Sequence, residues 1–415
     1  MNSKYLNNIK SSIVLFIMLF VLHAVVYMTK NMFSAAMATI VEDGVMTKSQ
    51  TGAISACFWL FYAIFQIIGG FATDKYSPFT LVSIGVISGV ISNIIIYFNN
   101  DYTVILVVWC INAIFQFGLW PGVFKIVSTQ VHPDIRMKAI FWVLMSTNAG
   151  QAASMLVASY VTNWKNNFMI SAIALLVILI LWVFIYKKLQ KDMVEEGAGD
   201  SVDESTNIQN VGMGRLIRLS GLPLLLIISF VLCTVSNGVK MCTPVMLMET
   251  YDNMPAAIAT RMSILLIAFS VFGMFIAKFV RSKVTSNEVK GFNILILLSL
   301  PWMFVSCYVG NLHYIVILIA LSFAIIFFAG ALPLTNSFAA ARFTFYGRGG
   351  TVSGILNAGG ALGNVVASYI FPKLAETMPW ANVAMLWLGL VLAALIIGIC
   401  LISLWTKFIS QQVDY

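Results

Sequence analysis

Twelve stretches of about 20 mostly apolar residues run through this 415-residue chain, parted by short polar or Pro/Gly breaks. Their approximate centres are Val25, Phe61, Ile87, Ile114, Gln151, Leu176, Val235, Leu266, Leu297, Ala324, Leu362 and Leu392. In lipid a backbone must satisfy its own hydrogen bonds, so each stretch is predicted as a helix that crosses the bilayer. A hydrophobic share of 60%, a charged share of 10% and a mean hydropathy of +0.92 exceed what a soluble core can hide. The first stretch, Ser12 to about Met37, is too long for a signal-peptide core and lacks a small-residue cleavage site. It reads as a retained helix. The expected fold class is an all-α membrane protein, with twelve transmembrane helices in two pseudo-symmetric six-helix bundles.

One connection is long. Residues 189–218 are polar, carry acidic and basic blocks around Gly-Ala-Gly-Asp-Ser-Val-Asp-Glu-Ser-Thr, and lack a helical apolar period. They read as a cytoplasmic linker between an N-terminal bundle, 1–188, and a C-terminal bundle, 219–415. Placing the N-terminus inside puts 17 cations in cytoplasmic segments and four, Lys48, Lys165, Arg261 and Lys373, outside. The positive-inside rule then sets both termini in the cytoplasm of a cell that holds this protein in its plasma membrane. The formal charge of +8 sits in short loops, with no basic run interleaved with aromatics, so no nucleic-acid partner is expected. Lipid is the expected surrounding, and a monomer the expected state.

Three lysines fall inside the apolar stretches: Lys30, Lys125 and Lys240; none of the 16 acidic residues does. A charge at mid-membrane costs about 2.5–3.5 kcal/mol even on a lenient scale, which marks such residues as functional candidates. Cations without intramembrane carboxylates call for an anion from outside the chain. Lys30 and Lys240 also have a second reading, snorkelling to an interface, and Lys125, toward the cytoplasmic end of its stretch, a structural or gating role. His23 precedes Lys30 by seven residues on the same helical face, as a proton carrier or a hydrogen-bonded bundle residue. Asn148 and Asn237 are candidate ligands or cross-helix hydrogen-bonding groups. Most tryptophans, Trp59 and Trp109 among them, read as an interfacial belt; Trp120, beside Pro121 inside a stretch, does not. Six scattered cysteines show no CxxC or Cys/His spacing, and no metal or cofactor is expected. Gly347-Arg348-Gly349-Gly350 lacks the context of a phosphate loop. With no Ser/His/Asp set or paired carboxylates in the spans, an enzyme is not expected.

Gly70-Phe-Ala-Thr-Asp74-Lys75-Tyr-Ser-Pro78, after the second stretch, resembles the G-x-x-x-D-R/K signature of the major facilitator superfamily. Its Asp-Lys-x-x-Pro ending resembles the organophosphate:phosphate antiporters. So do Tyr27-Met-Thr-Lys30 with Glu42-Asp-Gly44, and Phe115-Gln116-Phe-Gly118-Leu-Trp120-Pro121; the second half is looser, around Gly238, Thr243-Pro244 and Gly350 to Gly363. The resemblance implies the major facilitator fold and a gate at Gly70, Asp74 and Lys75. It implies substrate contact at Lys30, Tyr27 and Tyr62, and places Lys125 on a family Arg. The family's span-2 Lys becomes Gln66 and its span-5 His becomes Thr147, beside Asn148; Gln66, Asn148 and Trp120 stand as further substrate-binding candidates. The family's two phosphate-binding arginines are replaced: Lys30 stands at one, and Ser236 at the other, with Lys240 a turn further on. Lysine offers a compact charge where arginine offers a bidentate fork, so carboxylates and sulfonates stay open beside phosphates. The second half lacks the signature's Asp in Gly273 to Lys278, so its gate is expected to be weaker or different.

The function expected is secondary transport of a small organic anion by alternating access, through anion exchange, with Lys30 and Lys240 as a clamp. Proton-coupled symport and a transporter-like membrane sensor are the competing readings.

Overall fold

The structure, a computed structural model, describes residues 4–161, 163–195, 213–252, 254–346 and 348–413. Most of the 189–218 linker lies outside the described residues. Two compact units divide the chain, Met1–Val202 with Ala256–Arg261, and Asp203–Pro255 with Met262–Tyr415. Among the described residues, eleven helices are long and apolar enough to cross a membrane. A further long helix, Lys48–Lys75, coincides with the apolar stretch centred on Phe61.

The first unit begins with a short strand, β1 (Lys4–Leu6), and then α1 (Ile9–Lys30) and α2 (Met32–Glu42), which together form one span broken at Asn31. Next come α3 (Lys48–Lys75) and α4 (Pro78–Tyr97). Another broken span follows, α5 (Tyr102–Phe115) with α6 (Leu119–Thr129), and then α7 (Pro133–Tyr160) and α8 (Trp164–Leu189). The helix starts are chemically marked. Thr47 and Gln50 close a capping box on α3, Asp101 caps α5, Asn163 caps α8, and Pro78 and Pro133 fill first-turn positions that need no N–H. Burial is inverted relative to a soluble bundle. Ile173, Leu176, Val177, Ile180 and Phe184 line an exposed apolar stripe on α8, while Asn93, Asn112 and Asn167 are buried. That pattern suits lipid outside and hydrogen bonding inside.

One end of this unit collects its basic residues. Strand β2 (Met193–Glu195) pairs antiparallel with β1, a small ribbon that an all-helical expectation does not include. Leu6 N–H donates to Gln130 O, and His132 N–H to Ser12 Oγ. Phe79 stacks on Trp182 and Tyr186. The N-terminal strand, the α3–α4 and α6–α7 connections and the end of α8 therefore share one end. Lys75, Arg136, Lys138, Lys187 and Lys188 lie at these junctions.

The second unit holds α9 (Met213–Ser220), α10 (Leu222–Thr250), α11 (Ala256–Phe279), α12 (Glu288–Ser306) and α13 (Tyr314–Pro333), then α14 (Ala339–Arg342), α15 (Gly349–Leu374) and α16 (Trp380–Val413). A π-helical turn, Leu334–Phe338, follows Pro333 and joins α13 to α14. Gly221, at φ 66°, turns the chain from α9 into α10. Helices α10 and α15 pack closely because Gly359, Gly360 and Gly363 leave room for Leu226, Cys233 and Thr234. The helices run past the apolar stretches and take in Glu42, Glu249 and Glu288 at their ends.

Candidate functional site

In the first unit the site is built on α1. Its last turn ends at Lys30, because Asn31 leaves helical geometry (φ −92°, ψ 3°) and its N–H and Nδ2 both donate to Tyr27 O. A helix C-terminus carries partial negative charge and favours a cation there. The lysine is 3% exposed, and its buried ammonium has no hydrogen-bond partner among the described residues. It lies 3.9 Å from the ring centre of Tyr62 and 5.2 Å from that of Tyr27. Snorkelling is thereby excluded for Lys30: the charge ends inside the bundle, against aromatic faces.

The aromatic wall continues from there. Trp59 packs 5.9 Å from Tyr62 and 6.5 Å from Tyr27, and Phe58 stacks on Tyr62 at 6.1 Å. On the other side of Tyr27 stands His23, at 4.8 Å, with Trp120 of α6 4.7 Å beyond it. His23 is fully buried and its Nδ1 is 2.7 Å from Ser146 Oγ on α7. Helix α7 reaches this close through Gly150, where an added Cβ would meet Tyr27 Cβ at 2.6 Å and Met28 N at 2.9 Å. At the α5–α6 break, buried Gln116 donates from Nε2 to Asn112 Oδ1, and Gly69 packs on the Phe117 carbonyl.

Lys30, Tyr27, Tyr62, Trp120 and His23 are therefore one contiguous group. Asn148 is half-buried on α7, two residues from Gly150, and Lys125 half-buried on α6, a turn past Trp120. The side chains of Gln66, Gly70 and Asp74 lie outside the described residues; Lys75 is exposed at the end of α3. Trp59 and Trp109 correct the belt reading. Trp59 packs on Tyr27 and Tyr62, the rings that hold the lysine, and Trp109 is fully buried against Phe33 and Phe58. Spacing holds a signal for Trp59, since Tyr27 and Lys30, and Phe58, Trp59 and Tyr62, recur at helical intervals of three and four. Ser146 and Asn31 carry no such signal.

In the second unit Lys240 is half-buried on α10. Asn237, one turn earlier, turns its Nδ2 toward Asn364 O at 3.5 Å and Ser368 Oγ at 3.4 Å on α15. That places it between helices, as a cross-helix group. Glu288 stands at the start of α12. It is 1% exposed, accepts from Arg342 Nε at 2.9 Å and Trp405 Nε1 at 3.1 Å, and lies 3.8 Å from Arg281 Nη2.

The sequence model described as Major Facilitator Superfamily matches residues 19–304. A probable hexose phosphate transport protein of Chlamydia trachomatis is 24% identical over 410 residues, covering 92% of this chain and 89% of that one. The membrane sensor protein UhpC of Escherichia coli is 30% identical over 94 residues, 23% of this chain and 21% of its own. A hexuronate transporter of Bacillus subtilis is 21% identical over 199 residues, 47% of each chain. Among solved structures, a bacterial homolog of the human lysosomal transporter Spinster aligns with a TM-score of 0.73. It covers 97% of this chain and 99% of that one at 15% identity. A D-xylose–proton symporter aligns at 0.69 over 94% and 97%, at 14% identity. The matched folds belong to membrane transporters, not enzymes.

Proposed function

The chain belongs to the Major Facilitator Superfamily, and we propose that it exchanges small organic anions across the plasma membrane by alternating access. One observation carries this reading: among the described residues the buried Lys30 ammonium has no hydrogen-bond partner, and it lies against the ring faces of Tyr62 and Tyr27. Such a charge is destabilising until an anion joins it. Lys240 is the second arm of the clamp. A site with two lysines and no ligand repels itself and resists closing, whereas a loaded one is neutral enough to rock across. Exchange therefore needs no buried carboxylate to carry protons.

The cargo proposed is a hexose-derived anion, either a phosphate or a uronate, a reading that the names of two relatives support. Single ammonium groups suit both, because neither demands a bidentate fork. The basic ends face the cytoplasm by the positive-inside rule, with both termini there. The protein works as a monomer in lipid, with bundles at 1–188 and 219–415 around the 189–218 linker.

Proteoliposomes preloaded with unlabelled glucose 6-phosphate or glucuronate should take up the labelled compound by counterflow. Uptake that requires a proton gradient and no internal anion would replace exchange with symport. The 94-residue match to a membrane sensor keeps a second reading in view, ligand binding without transport. Saturable binding with no counterflow would establish it.

A further inference from the structure

Two side-chain polar atoms of α1 are buried with no hydrogen-bond partner among the described residues: Lys30 Nζ and His23 Nε2. Anion binding accounts for the first and leaves the second unused. The hydrogen bonds around His23 fix its chemistry. Ser146 Oγ lies 2.6 Å from Val143 O, and a carbonyl has no proton, so the hydroxyl donates to it. The same oxygen, 2.7 Å from His23 Nδ1, must then accept from the ring. The neutral imidazole is thereby held as its Nδ1–H tautomer, and Nε2 is left as a bare acceptor. A buried acceptor without a donor is rare enough to require an explanation.

Its neighbours supply one. Tyr27 lies 4.8 Å from the imidazole and 5.2 Å from the Lys30 ammonium, ring centre to ring centre or nitrogen. Acceptor and cation therefore flank a single tyrosine. Trp120 covers the imidazole from the far side at 4.7 Å. Tyr27 and Trp120 are both half-buried, so they are the partly accessible faces of the group around His23.

The geometry points to His23 as a specificity-determining residue, whose Nε2 accepts a hydrogen bond from a hydroxyl of the anion held at Lys30. This rests on the anion-binding reading of Lys30 and deepens it. The ligand must carry a hydroxyl within about two helical turns (~10 Å) of its charge. An anion of the same size without hydroxyls leaves Nε2 unpaired and binds more weakly.

The test uses purified full-length protein and isothermal titration with two probe pairs. These are glucuronate with cyclohexanecarboxylate, and glucose 6-phosphate with cyclohexylmethyl phosphate. In at least one pair the wild type should favour the hydroxylated member by about tenfold or more. His23→Phe keeps the ring packing but has no acceptor; it should erase that preference while leaving affinity for the cyclohexyl member nearly unchanged. His23→Gln returns an acceptor oxygen near the Nε2 position and should restore part of the preference. A preference that survives in His23→Phe overturns the assignment. So does equal weakening of both members, or no binding of either pair by the wild type. Lys30→Gln separates the two readings: if it binds like wild type while His23→Phe still erases the preference, the Lys30 reading fails and the His23 assignment stands.

Discussion

The Lys30 ammonium stands 3.9 Å from the ring centre of Tyr62, a residue only 5% exposed. A cation over a desolvated aromatic face gains about 2 kcal/mol. Burying an ion costs several kcal/mol even after the protein relaxes. The rings position the charge without offsetting its burial, and the site is left with a deficit that an anion can remove.

Lys30→Met should therefore raise stability and destroy function together. The thioether fills the same space without a charge, and replacing unpaired buried charge by a well-packed apolar group gains about 1–4 kcal/mol. Thermal unfolding of purified protein should shift upward by a few degrees, and the further upward shift given by glucose 6-phosphate or glucuronate should vanish. A variant that melts lower, yet still responds to either anion, contradicts the deficit.

Tyr62 separates ring from hydroxyl. Tyr62→Phe keeps the face below the ammonium and should retain most anion binding. Tyr62→Leu removes the face, leaves the lysine free to change rotamer, and should weaken binding about tenfold, the equivalent of one cation–π contact. Equal losses in the two variants would assign the effect to the hydroxyl instead.

Much of this site is visible in the chain before any coordinates. Lys30, Tyr27 and His23 share a helical face by their spacing of three, four and seven, and their place in an apolar stretch marks them out. The fold is legible for a related reason: in lipid each span must be a helix of fixed length, so counting apolar stretches counts helices. What lies between helices is not legible. Ser146 meets His23 across 123 residues of sequence, and nothing local distinguishes it from other buried serines. Trp59 reads as a belt residue in the sequence because an aromatic in a span looks the same facing headgroups or facing the rings around a lysine. Glu288 escapes notice because it lies just before an apolar stretch, while the helix that contains it begins one turn earlier.

Gly150 tests whether the spacing between α1 and α7 sets the site. A methyl group there meets Tyr27 Cβ at 2.6 Å and Met28 N at 2.9 Å, both tighter than real contacts allow. Overpacking of this kind costs about 1–3 kcal/mol. Gly150→Ala should lower the melting temperature by several degrees and displace Tyr27 enough to weaken anion binding. Gly354 is a control, since nothing lies near its Cβ position and alanine there should be neutral or slightly stabilising.

Glu288 carries the largest stability effect expected away from the anion site. Asn287 caps α12 by accepting from the N–H groups of Val289 and Lys290, which sets Glu288 in the first turn, where the helix favours negative charge. Its carboxylate is closed in by Arg342, Arg281 and Trp405, and Arg342 also donates to Ser286 O at 3.1 Å. Removing one partner of a buried pair costs about 3–5 kcal/mol. Arg342 and Arg281 keep 26% and 34% of their side chains exposed, so water screens what remains and the lower end applies. Glu288→Gln should therefore destabilise by about 3 kcal/mol, and Trp405→Phe, which leaves one carboxylate oxygen short of a donor, by about 1 kcal/mol. In the pair Glu288→Gln with Arg342→Gln the losses should fall short of their sum, because the second change removes a charge already left unpaired. Additive losses in an equilibrium unfolding cycle would mean that the two groups are neighbours without being coupled.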